Sequence, residues 1–88
     1  GDDRTILVVE MTSELSRAEL CSLVQKADLK PRLVVTDLHD SAAHLIEVGG
    51  FVQERDAPVW KLTELDEVRS VRVIGAYGVP VQANEVEA

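Results

Sequence analysis

His39, Asp40 and His44 are the residues whose types first suggest chemistry, because imidazole and carboxylate are metal ligands and proton-transfer groups. Their spacing works against a metal site. His39-x4-His44 fits neither the i, i+4 pair of a helix face nor the i, i+2 pair of a strand face. They read as one turn histidine and one strand histidine. Cys21 falls beside an apolar stripe in a predicted helix, with no histidine adjacent in sequence to lower its pKa. It therefore reads as a small core residue rather than a nucleophile. Glu64, Asp66 and Glu67 form an acidic cluster late in a second predicted helix and read as a solvated face. Gly75-Ala-Tyr-Gly78 lacks the strand-to-helix context of a phosphate loop. Glu47, inside a predicted strand, is expected to reach solvent on a sheet face or to pair with Arg72. No catalytic residue, metal set or cofactor site is assigned.

The elements that carry these residues belong to one domain, residues 1–88. Apolar residues make up 45% of the chain, enough for a core. The aromatics are only Phe51, Trp60 and Tyr77, so that core is aliphatic. The formal net charge of −7 leaves no basic stripe for displacing counterions from phosphates, which argues against nucleic acid and against an anionic membrane surface. A single Cys21 excludes an intrachain disulfide and suits a reducing, cytoplasmic compartment. No apolar run approaches the ~18 residues of a membrane span. The chain opens Gly-Asp-Asp, which we read as a scar in front of a domain excised from a longer protein.

In chain order, Thr5–Met11 reads as a strand whose run Ile6–Val9 wants cover on both faces. Ser16 and Glu19 make a capping box, flanked by the Leu15–Leu20 staple, and open a helix over Arg17–Ala27. Pro31 ends that region, and Arg32–Leu38 reads as an edge strand. A short connection leads into the strand Ala42–Val52, interrupted at Gly49-Gly50. In it His44, Ile46 and Val48 face one side, and Leu45, Glu47 and Gly49 the other. Asp56 is expected to cap a short helix at Ala57–Glu67, ahead of a last strand at Ser70–Tyr77. Residues 81–88 are expected to be a frayed acidic tail.

The order β-α-β-β-α-β predicts an α+β, ferredoxin-like sandwich: a four-stranded antiparallel sheet, order 4-1-3-2, with both helices on one face. Two helices shield one face only, yet Ile6–Val9, Leu33–Val35, Leu45–Ile46 and Val73–Ile74 place apolar side chains on both. A contiguous uncovered patch is usually an interface. The chain is therefore expected to form a homodimer through the sheet or its helix-free face, or to pack on an attached domain.

Two runs then carry a family resemblance. His44–Phe51 and Val71–Tyr77 resemble the third and fourth strands of an ACT domain, of the regulatory type at the C-terminus of prephenate dehydratases and bifunctional chorismate mutase–prephenate dehydratases. Leu45, Glu47, Val48 and Gly50 match a family run such as Y-L-x-E-V-x-G. Val71, Val73, Gly75 and Tyr77 match V-x-V-L-G-S-Y-P, with Ile74 for its leucine and Ala76 for its serine. The resemblance implies a non-catalytic regulatory domain that binds an amino-acid effector, usually phenylalanine, between paired copies and acts on an attached catalytic domain. It places the effector site at Ser13, Glu14, Leu15 and Ser16, where the first helix opens, and at Thr36 and Asp37, where the second strand ends.

The residues depart from the family there. The helix opens without the family's glycine, which lets backbone approach a ligand. Thr36 keeps a hydroxyl, but Asp37 stands where the family has an arginine. A carboxylate can receive an ammonium; it cannot clamp another carboxylate. The effector's identity stays open, and two further readings stand beside this one. One is an ACT-fold dimerisation module without an effector. The other is a small enzyme of ferredoxin-like fold, for which no nucleophile–base pair or metal set is legible.

Overall fold

The computed structural model describes residues 3–78. The tail expected at 81–88 lies outside the described residues. The first strand, β1 (Asp3–Met11), buries Thr5, Leu7, Val9 and Met11 and leaves Ile6 and Val8 half-covered. That is the period of two expected of a strand packed on one face. The strand β3 (Ala43–Gly49) repeats it, with His44, Ile46 and Val48 inside. The other two strands are β2 (Pro31–Thr36) and β4 (Val68–Gly78). All pairings are antiparallel and the order is β2-β3-β1-β4, the predicted order read from the other edge. The molecule is an α+β sandwich of ferredoxin-like topology.

The helix α1 (Arg17–Lys26) starts on the predicted capping box. Ser16 Oγ accepts the Glu19 N–H at 3.1 Å, and Glu19 Oε1 accepts the Ser16 N–H at 3.1 Å. It ends at Lys26 with Ala27 as its C-cap, one residue short of the predicted span, and Asp28 beyond it holds φ +66°. The Asp28 N–H donates to the Gln25 carbonyl and the Leu29 N–H to the Val24 carbonyl, a Schellman closure with aspartate in the left-handed position. The helix α2 (Ala57–Thr63) is shorter than expected, and β4 begins at Val68 rather than Ser70. Asp56 stands at its N-cap without capping it, because its Oδ2 accepts the Gln53 N–H instead.

The core lies between the helices and one sheet face. Leu20, Leu23, Val24 and Leu62 pack there with Leu7, Val9, Ile46, Val48 and Val34. At about 1.5–3 kcal/mol per buried aliphatic side chain, this layer supplies the dominant favourable term in folding. Along with His44, Thr5 is a polar member of the buried layer. Its Oγ1 donates to the Gly50 carbonyl at 2.8 Å and accepts the Val52 N–H at 2.9 Å, which ties the bend after β3 to the strand beside it. Gly50 holds φ +83° in that bend, a backbone state glycine tolerates without strain.

Both sheet edges are blunted. On β2, Pro31 brings no N–H, and the register slips between Pro31 and Leu33. On β4, the register shifts where Gly75 and Val73 face Ile6 and Leu7, and Glu54 Oε1 accepts the Val73 N–H at 2.9 Å. No helix among the described residues is long and apolar enough to cross a membrane.

Candidate functional site

The six predicted effector residues come to the same end of the sheet, where β1 and β2 finish and β3 begins. The Met11 N–H donates to the Ala42 carbonyl there, and the Asp37 N–H to the Ala43 carbonyl. The Ser41 hydroxyl donates to Glu14 Oε1, so the loop before α1 touches the turn between β2 and β3. Ser13 is exposed beside that contact, and Leu15 packs part-buried on the core.

Most of these residues are already occupied. Ser16 caps its own helix, and Glu19 completes the box, so the cap does not await an outside anion. Asp37 Oδ1 accepts the His39 N–H at 2.7 Å and the Asp40 N–H at 3.1 Å, and Asp40 Oδ1 accepts the Ala42 N–H at 3.0 Å. These are Asx turns that fold the connection back. Glu14, Asp37 and Asp40 make this end acidic. It suits an ammonium better than a carboxylate.

Thr36 meets His44, a residue the sequence reading set aside. Thr36 Oγ1 and His44 Nδ1 stand 3.0 Å apart, and the ring is buried under the helices. Its Nε2 finds no hydrogen-bond partner among the described residues. A buried N–H without an acceptor is rarer than an unused lone pair, which assigns the proton to Nδ1, donating to Thr36. Burial holds the His44 pKa below the ordinary histidine value, and the nearby Asp40 charge pulls the other way. His39 is exposed in the turn. Cys21 is partly buried against the core, beside a groove of about 160 Å³ that Arg17 and Arg32 also line.

The helix-free face holds two features. One is a polar cluster that spans three strands. Glu47 Oε2 accepts from Arg4 Nη1 at 3.2 Å and from the Tyr77 hydroxyl at 2.9 Å. Glu47 thus pairs with Arg4 on the neighbouring strand and not with Arg72, because Arg72 faces Val8, further along the sheet. The hydrogen bond to Glu47, with burial and the Glu47 charge, pushes the Tyr77 pKa up, against an opposing effect of Arg4. The other feature is an open concavity of about 230 Å³ lined by Val8, Val35, Asp37, Ala43, His44 and Leu45. Strand alternation pointed to its aliphatic members, but nothing in the sequence announced Ser41 or the Arg4 pairing.

Fold and face together define a small α+β sandwich with a covered core layer and an uncovered sheet face. No protein-family model matches the chain, no curated protein matches it, and no solved structure matches it.

Proposed function

We propose that this chain is an ACT-like regulatory domain, without catalysis of its own, from an aromatic amino-acid biosynthesis enzyme of the chorismate mutase or prephenate dehydratase type. It binds an amino acid at the end of a paired domain and biases an attached cytoplasmic enzyme through its differential affinity for two arrangements. One observation carries the reading. Glu47 belongs to the first run of the family resemblance and Tyr77 to the second, and the two side chains hydrogen-bond across β1. Residues matched separately in sequence thus act as one unit. Effector contact is assigned to Ser13, Glu14, Leu15, Ser16, Thr36 and Asp37, with the acidic members receiving the ammonium.

Calorimetry with phenylalanine, tyrosine and tryptophan tests the reading. Measurable heat and a raised melting temperature with one of them support it. No heat and no thermal shift at millimolar ligand remove the sensing role. A second reading has its own support: Ser16 and Asp37 are already engaged in capping and turn formation. On that reading the domain is an ACT-fold dimerisation module that has lost its effector, and the same ligand screen separates the two.

A further inference from the structure

The helix-free face has a cation toward one edge, an anion toward the other and aliphatic side chains between. Cα pairing runs one row across the sheet as Val35, Leu45, Val8 and Arg72. One row along the strands, Asp37 lies at the β2 edge and rims the same concavity. Arg72 is exposed and makes no ion pair among the described residues. Glu47 and Arg4, on the same face, are paired with each other. Glu10 faces Ala43 and Ser70.

We propose that two copies of this chain pack face to face through this surface, about a two-fold axis running along the strands, with Arg72 of each copy reaching Asp37 of the other. Such an axis lays the β2 edge of one copy over the β4 edge of the second. Val8 and Leu45 then meet at the centre, and the stem of Arg72 lies on Val35. Its guanidinium extends one row, about 7 Å along the strand, to Asp37. Sheets packed this way stand ~10 Å apart, a gap two facing layers of side chains fill. The surface is self-complementary, as a two-fold interface must be. Edge pairing, the competing mode, is opposed by Pro31 and its slipped register on β2, and by Glu54 and the bulge on β4. Burying the exposed Leu33, Val35 and Ile74 adds apolar area to the contact. The inference rests on the self-association in the proposed function and not on effector binding.

Sedimentation equilibrium at tens of micromolar tests it. The wild type is expected to dimerise. Arg72→Asp alone and Asp37→Lys alone each place like charges at both contacts and are expected to weaken the dimer by about tenfold or more. Mixing the two variants restores it, because every contact in the mixed dimer again joins opposite charges. Asp37→Asn keeps an acceptor for the turn and weakens the dimer less. If Asp37→Lys loses its fold by circular dichroism, Arg72→Asp against Arg72→Lys carries the test, and only the first dissociates. Single variants that dimerise like the wild type, or a mixture of folded variants that stays monomeric, overturn the face pairing while leaving self-association standing. A monomeric wild type overturns both and leaves the face to a different protein.

Discussion

Tyr77 donates its hydroxyl to the Glu47 carboxylate at 2.9 Å, although the two residues sit on strands that do not touch, with β1 between them. The bond favours the protonated phenol, so the folded pKa is raised. A raised folded pKa means stability that is full below the ordinary phenol value and is lost as pH rises through the folded one. Denaturant unfolding at rising alkaline pH should show that loss in the wild type. Tyr77→Phe should be modestly less stable at neutral pH and lack the component. An identical alkaline profile in the variant would show that the bond makes no contribution.

At acid pH the sensitive residue is His44. Its folded pKa is lowered, because burial disfavours the charged ring. Its contribution is therefore complete above the ordinary histidine value and declines as pH falls below it. Stability measured from pH 8 to pH 5 should fall in the wild type and fall less in His44→Gln. His39→Gln, in the exposed turn, should track the wild type. Glu19 titrates in a lower window. The two hydrogen bonds with Ser16 depress its pKa, so its contribution is lost only as pH drops through the carboxylate range. A plateau between the two declines would separate them.

Thr5 tests the clasp on the bend after β3. Thr5→Val keeps the shape and strands the Gly50 carbonyl and the Val52 N–H, at a cost of about 2–4 kcal/mol in chemical denaturation. Thr5→Ser keeps both bonds and loses a methyl group, for about 1 kcal/mol. Equal losses in the two variants would mean that packing, not hydrogen bonding, matters at this position.

Asp28 separates backbone conformation from ion pairing. Its φ of +66° penalises a side chain, and its carboxylate sits 2.9 Å from the Lys61 ammonium at the surface. Asp28→Ala should lose about 1 kcal/mol, since alanine is strained there. Asp28→Gly should equal or exceed the wild type, because an exposed ion pair is worth only ~0–1 kcal/mol. A glycine variant as unstable as the alanine one would make the Lys61 contact the larger effect.

The strand order, the two central strands and the capping box were all legible, because each rests on a local pattern. Alternation placed His44, Ile46 and Val48 on one face, and Ser16 with Glu19 marked the start of α1. The end of α1 was legible to within one residue, at Ala27 where the apolar stripe stops. The left-handed Asp28 that closes it was not, because aspartate there leaves no sign as plain as glycine. Glu47 was recognised as the odd charge, but its partner depended on register. Five steps along β4, from Arg72 to Tyr77, lie opposite four along β1, from Val8 to Arg4, and the one-residue bulge that makes the difference is invisible in composition. At the candidate site, Asp37 and Glu14 were found by resemblance. Their engagement with the turn and with Ser41 arises from loops meeting in space.

The blunted edges also bear on how the chain behaves when crowded or warmed. Fibril growth by cross-β stacking needs a strand that recruits another and then offers a fresh edge. Pro31 and Glu54 interrupt that recruitment on the two sides of this sheet, and the two-fold contact proposed above would consume the surface that forms it. With that contact made, assembly would stop at two chains, and aliphatic residues as exposed as Leu33 and Ile74 would not be left to seed an insoluble polymer.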